Sequence, residues 1–350
     1  MTAMRAPASR SDFINVRGLR YHVRRWRSDD SSATTAREDS AQPVESVHTQ
    51  HSAESSEHSL HLPRRMPGLV PRLVHRLILC HGWLDVSGTF EPLVQALLAA
   101  SPVPLEVLAP DWRGFGHTAW PEDGYWFYDY VADLEAIIDH YSPDVPVLLA
   151  GHSMGGQAAS LYAGLRPRRV QQLVLLDALF LPDMPAERAP TRFRKWLDQL
   201  RDPPTPKTYA SFEELAERVR RSHPQLSAAR ALFVAQCWGR EVGHGRIMLC
   251  ADPKHRLSGP GLYRAAESEA VWREVLAPTL FIDSGESEFG KSISADELAQ
   301  RRACFRDHRQ QTIAGAGHML HFDAPEATGR AIAAFLRPHV GAAIAADAAS

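Results

Sequence analysis

An apolar run, Val147-Leu148-Leu149-Ala150, passes through Gly151-His152-Ser153-Met154-Gly155-Gly156 straight into Gln157-Ala158-Ala159-Ser160-Leu161-Tyr162-Ala163. No other stretch constrains the fold as much. The run reads as a buried strand, and the residues after the glycine pair read as a helix. A strand, G-x-S-x-G and a helix in that order describe a tight turn that holds its serine in a strained backbone conformation. Gly151 and Gly155 let the two elements cross closely, because neither carries a Cβ. The Ser153 hydroxyl then stands clear of the sheet, and the first N–H groups of the helix are free to meet a developing oxyanion. The spacing therefore predicts Ser153 as a nucleophile and Met154 as the source of one backbone N–H donor.

The flanking sequence alternates strand and helix, the pattern of a parallel sheet covered on both faces. Residues 13–26 (FINVRGLRYHVRRW) alternate apolar and polar on either side of Arg17-Gly18 and predict an antiparallel hairpin. Arg76-Leu77-Ile78-Leu79-Cys80, Val107-Leu108-Ala109, Val170 to Leu176, Pro278 to Gly285 and Arg309 to Ile313 have the length and character of strands. Helices are expected between them at 89–100, 126–141 and from Ser294, with a last one at 325–336. The length of 350 residues, 44% of them hydrophobic, suffices for one large α/β domain with an insertion.

Two segments break the alternation. Residues 27–68 are rich in Ser, Thr, Glu, Asp and His and nearly lack apolar periodicity, so they read as a disordered insertion. His48, His51, His58 and His61 within it are read as a solvated linker rather than a metal site, since no carboxylate or thiol geometry is fixed there. Residues 181–275 are helical and aromatic, with Phe193, Trp196, Phe212, Phe233, Trp238 and Tyr263. Ser211-Phe212-Glu213-Glu214 opens one helix as a capping box, and Ser227 caps the next. This segment is expected to form a helical cap over the sheet edge to which Ser153 points; a satellite subdomain without substrate contact is the alternative. The resulting division is a core of 11–26, 69–180 and 276–338, the insertion, the cap, and a flexible tail at 339–350.

A serine needs a base to take its proton and an acid to orient that base. His318, on the glycine-rich loop Ala314-Gly315-Ala316-Gly317, is the expected base, with His321 as its rival. Glu288, just past the strand ending near Gly285, is the expected acid; Asp177, Asp283 and Glu286 are the alternatives. A second oxyanion donor is expected from the backbone N–H of Trp83, whose ring either walls the acyl pocket or packs. Asp85 reads as a loop-capping acid, Asp111 and Arg113 as a turn with an ion pair, and His152 as a side chain packed behind the elbow.

The formal net charge of −2 gives no reason to expect nucleic acid or an anionic membrane as partner. Cys80, Cys237, Cys250 and Cys304 lack C-x-x-C spacing and read as reduced thiols of a cytoplasmic protein. Neither a signal core nor a membrane span is visible.

His81-Gly82-Trp83, Asp111-x-Arg113-Gly114-x-Gly116-x-Thr118, Gly151 to Gly156 and Gly317-His318, in that order, resemble the α/β-hydrolase-fold serine hydrolases. More narrowly, 81–85, 175–180 and 252–257 are similar to the serine hydrolase-like proteins. Thr118 replaces the family's usual serine, and the family acid is more often Asp than Glu. The resemblance implies an α/β fold with a mostly parallel eight-stranded sheet, helices on both faces and a helical cap after the sixth strand. It implies hydrolysis of a carboxylic ester or related small acyl compound through an acyl-enzyme, with no metal or organic cofactor. A carbon-carbon bond hydrolase, lactonase, thioesterase or acyltransferase would use the same residues, and a hydrolase-fold binding protein without activity is the reading of another class.

Overall fold

The computed structural model describes residues 9–28, 74–203 and 205–336. The insertion expected at 27–68, apart from Arg27 and Ser28, and the tail at 339–350 lie outside them.

Strands β1 (Arg10–Val16) and β2 (Leu19–Arg27) form the expected antiparallel hairpin. Its two-residue turn is left-handed at both Arg17 (φ 48°) and Gly18 (φ 84°), the geometry that matches strand twist. The remaining strands of the main sheet are β3 (His75–Cys80), β4 (Leu105–Pro110), β5 (Val147–His152), β6 (Val170–Leu176), β10 (Thr279–Ser284) and β11 (His308–Ile313). Their order is β1-β2-β4-β3-β5-β6-β10-β11, eight strands, parallel from β4 onward. Every residue of β4 and β5 is buried, as a strand covered on both faces must be.

Helices α1 (Glu91–Ala100) and α10 (Pro325–Phe335) cover one face, and α2 (Phe127–Tyr141) and α3 (Met154–Leu165) the other. The alternating side chains of β5 divide between the two cores. Val147 and Leu149 join the α2/α3 side, whereas Leu148 and Ala150 join the α1/α10 side. β5 is thus pinned from both sides at the point where the chain must turn sharply.

Between β6 and β10 lie α4 (Ala189–Arg201), β7 (Thr208–Tyr209), α5 (Phe212–Ser222), α6 (Ala228–Trp238), β8 (Gly239–Glu241), β9 (Ile247–Leu249) and α7 (Ala265–Trp272). The predicted caps form: Ser211 Oγ accepts from Glu214 N–H at 3.3 Å, and Ser227 Oγ accepts from Arg230 N–H at 3.2 Å. The segment is not wholly helical, since β7, β9 and β8 make a small antiparallel sheet. Strands of two or three residues are too short to leave an alternating signature in sequence. Nor does all of the segment stand apart: α7 packs on α3, with Trp272 Nε1–H donating to Ser160 Oγ at 2.9 Å.

Leu215, Val219, Ala231, Val234 and Ala235 of α5 and α6 form a third core. That core also takes in Met319 and Phe322, which flank or belong to the short helix α9 (Leu320–Asp323). The inserted helices are therefore seated on the loop that carries His318. Helix α8 (Ala295–Arg302), opened by the predicted Ser294 cap at 3.1 Å from Glu297 N–H, joins β10 to β11.

Candidate active site

Ser153 sits at φ 49°, ψ −116°, a strained conformation for a residue with a Cβ, at the junction of β5 and α3. The crossing is tight enough that a Cβ at Gly151 would collide with the Gly155 backbone, and one at Gly155 with the carbonyls of Cys80 and His81. The turn is locked on both sides: Ser153 N–H donates to Leu176 O at 3.0 Å, and Ser153 O accepts the first helical bond from Gln157 N–H at 3.0 Å. Met154 is the first residue of α3, so its N–H has no intrahelical partner.

His318 follows β11 on the predicted glycine loop. Its Nδ1–H donates to Asp177 Oδ2 at 2.6 Å. With Nδ1 protonated by that bond, Nε2 carries the free lone pair. Asp177 lies immediately beyond β6, the strand next to β5, and is buried with φ 44°. Its carboxylate also accepts from Ser287 Oγ at 2.6 Å, and from Ser284 N–H and Oγ at 3.0 Å each. Four-point anchoring of this kind fixes the carboxylate, and through it the plane of the imidazole.

The structure does not bring Glu288, the expected orienting acid, to His318. Its side chain is 80% exposed and bonds Lys291 Nζ at 2.6 Å, three residues along the same turn. The loop after β10 does meet His318, but through other groups: Ser284 and Ser287 hold Asp177, and the Phe289 ring lies 4.2 Å from the imidazole. Asp283 is turned away to Arg302 at 2.5 Å, and burial raises its pKa. Glu286 lines the cavity beside the site.

His321, the rival base, is sealed off. Its Nε2 lies 3.0 Å from Asp85 Oδ2, and both side chains are fully buried. Asp85 is the loop-fixing acid expected of it: Oδ1 accepts from Thr89 Oγ1 at 2.8 Å and from Trp238 Nε1–H at 2.7 Å. Burial alone would raise its pKa, yet His321, His81 and the Trp238 N–H hold it well below the usual carboxylate range. His152 packs behind the elbow, and its Nε2–H donates to His318 O at 2.8 Å. Burial first, then the neighbouring His318 and His321, push its pKa well below the ordinary histidine value, so the ring is neutral.

The loop after β3 comes close to the elbow: a Cβ on Gly82 would stand 3.2 Å from Ser153 Cβ. His81 fastens that loop, with Nδ1–H donating to Gly82 O at 2.8 Å and Nε2 accepting from Trp112 N–H at 2.9 Å. The Trp83 ring is half-exposed and lines the cavity, so it does not pack into the core. The Asp111–Arg113 ion pair expected from sequence is not formed. Asp111 instead meets His22 Nδ1 at 2.7 Å, and Arg113 forks onto Asp133 through two bonds of 2.6 Å.

Ser153 and His318 open onto a cavity of about 1030 Å³. Its walls are mostly apolar, with Leu84, Phe127, Leu179, Phe180, Leu215, Val219, Trp238 and Met319; Arg218, His223, Gln225, Glu286 and Glu288 are among the polar members. Burial pushes the His223 pKa down to about 4, with His321 and His318 adding to the effect. Asp323, five residues past His318 at the end of α9, faces Gly317 and Gln225, and its pKa is pushed up to about 6 by burial. Asp323 was not anticipated from sequence; an acid in a short helix gives no sign there that its carboxylate folds back under the base.

A parallel sheet with a strained serine on the turn after β5, and a buried His–Asp pair at the same strand ends, defines an α/β hydrolase. The sequence profile of the alpha/beta hydrolase fold matches residues 75–325, and the chain belongs to that family and is an enzyme of it. A serine hydrolase-like protein of Danio rerio is 29% identical over 275 residues, 75% of this chain and 82% of that protein. Esterase YbfF of Escherichia coli is 27% identical over 237 residues, 66% of this chain and 82% of that protein. Among solved structures, a thioesterase domain from the curacin biosynthetic pathway superposes with a TM-score of 0.70 at 20% identity, covering 93% of this chain and 99% of the other. No helix among the described residues is long and apolar enough to cross a membrane.

Proposed function

We propose that the chain hydrolyses a carboxylic ester or related acyl compound with an apolar acyl group, through Ser153, His318 and Asp177. The observation that carries this is the 2.6 Å bond from His318 Nδ1 to Asp177 Oδ2 beside a strained serine at the wall of an apolar cavity. His318 Nε2 takes the Ser153 Oγ proton as the oxygen attacks the acyl carbon, and Asp177 stabilises the imidazolium that forms. The N–H groups of Met154 and Trp83 bind the oxyanion. His318 then gives its proton to the leaving oxygen, and a water activated by the same imidazole releases the acyl group. The part of 181–275 that seats α5 and α6 on the His318 loop acts as the cap of the site, while α7 belongs with the core. The esterase and serine hydrolase-like relatives support the reaction class.

A cavity of this size and lining favours an acyl chain of several carbons over acetate. Each methylene buried is worth about 0.8 kcal/mol, or about fourfold in kcat/KM, until the cavity is filled. Assay of p-nitrophenyl esters of graded chain length should show that rise in the wild type and no turnover in Ser153→Ala. A flat profile contradicts the apolar acyl site, and undiminished turnover in Ser153→Ala contradicts the nucleophile.

A further inference from the structure

Behind the elbow three buried side chains converge: Asp85, His152 and His321. One donor atom from each lies within 4.8 Å of the others, and all three residues are buried. We infer that they form a binding site for one divalent transition-metal ion of borderline softness, with Zn²⁺ as its simplest occupant. This is separate from the hydrolytic chemistry and holds whatever acyl compound Ser153 attacks.

Four observations lead there. First, the donor atoms are orphaned: His152 Nδ1, both nitrogens of His321 and Asp85 Oδ2 have no hydrogen-bond partner among the described residues, although they are sealed from solvent. The 3.0 Å approach of His321 Nε2 to Asp85 Oδ2 is close but misdirected for a hydrogen bond. A buried polar atom left unpaired is costly, and here one from each of three residues lies within 4.8 Å of the others.

Second, the opposite edges of two of the ligands are already fixed in the way metal ligands usually are. His152 Nε2–H donates to the His318 carbonyl at 2.8 Å, so Nδ1 is the unprotonated nitrogen, its lone pair aimed at the cluster. Asp85 Oδ1 is held by Trp238 Nε1–H at 2.7 Å and Thr89 Oγ1 at 2.8 Å, leaving Oδ2 for the cluster. Third, the donor is left uncovered: a Cβ on Gly82 would press on His152 Nδ1 at 2.8 Å, and glycine removes it. Fourth, the donor set suits the ion: two neutral imidazoles and a carboxylate are ligands that zinc and its neighbours accept, with water in the remaining position.

Bonds of about 2.0–2.1 Å place tetrahedral donors about 3.3 Å apart, so the imidazoles draw together on binding. The His321–Asp85 pair is already at that spacing. An ion bound there ties His152, the residue before the nucleophile, to α9, and through the His152 bond to the carbonyl of the base.

The test uses the full chain stripped with a chelator. Equilibrium dialysis should give one tightly bound Zn²⁺ per chain, with affinity lowered at least tenfold in Asp85→Asn and in His321→Gln. His48, His51, His58 and His61 offer other nitrogens. Tight binding undiminished in both variants would therefore put the metal elsewhere and overturn the assignment, as would no tight binding in the wild type. A second readout needs neither ligand variant to fold. Trp238 donates directly to Asp85, so Co²⁺ at this site should quench its fluorescence at stoichiometric metal, and Trp238→Phe should lose that component. Equal quenching with and without Trp238 contradicts the site.

Discussion

Two histidine–aspartate pairs, whose histidines are three residues apart in the sequence, both lie against the His152 ring, at 4.6 and 4.8 Å. They have opposite fates. In His318–Asp177 the imidazole is 14% exposed at the wall of the cavity, and its bond to the acid is 2.6 Å. In His321–Asp85 both side chains are fully enclosed, and the approach is 3.0 Å without hydrogen-bond alignment. The chemistry of the groups is the same; access differs. His318 precedes α9 and remains on the loop, whereas His321 is inside α9, whose Leu320 and Phe322 neighbours turn it under the inserted helices and against the Phe90 ring at 4.7 Å. One short helix thus separates a histidine open to the cavity from one sealed off from it.

The largest expected effect tests that contrast. His318→Gln removes the base and should lower kcat by about 10⁴-fold or more, as losing a triad member does. His321→Gln acts only by displacing packed neighbours and should cost less than about 100-fold, together with a lowered melting temperature. Equal losses would mean that the two pairs work as one unit. Next comes the acid. Asp177→Asn should cost about 10⁴-fold in kcat through the wrong imidazole tautomer, while Glu288→Gln stays within about twofold. A collapse in Glu288→Gln with Asp177→Asn still active would return the role to the loop after β10.

How far the site was legible in the sequence follows from where each group gets its position. Ser153, its flanking glycines and His318 are fixed by local chain geometry, a strand-turn-helix and a glycine loop, and local geometry has a local signature. The acid is different. Asp177 and the 285–288 loop both follow strands, β6 and β10, which are hydrogen-bonded neighbours: Asp177 N–H donates to Ile282 O at 2.8 Å. Either could deliver a carboxylate to His318, and chain order alone ranks them equally. Side-chain direction decides, since Ser284 and Ser287 turn inward to hold Asp177 while Glu288 turns outward to Lys291. The enclosed pair was hidden for a similar reason, because Asp85 and His321 meet only once β3's loop and α9 are packed together.

A smaller effect is expected at Trp238→Phe, which removes one donor from buried Asp85 and should cost about 1–2 kcal/mol of stability. It leaves the His318–Asp177 bond intact, so the stability loss should exceed any change in the pH dependence of turnover. Smallest is Asp323→Asn, at the end of α9. Burial raises the Asp323 pKa to about 6, so the folded protein keeps a proton that the unfolded chain releases near pH 4. Its contribution to stability is full below about pH 4 and is lost as pH rises through 6. Asparagine has no proton to lose. The variant should therefore melt a few degrees above the wild type at pH 8 and show no such gain at pH 4, as thermal unfolding at the two pH values would report.

The central claim is that Ser153, activated through His318 and Asp177, is the nucleophile. Labelling the folded protein with a fluorophosphonate and locating the adduct by peptide mass spectrometry tests it most directly. A single adduct on Ser153, absent in Ser153→Ala and formed orders of magnitude more slowly in Asp177→Asn, is the predicted result. An unlabelled Ser153 in folded wild-type protein, or labelling at the same rate in Asp177→Asn, would contradict it.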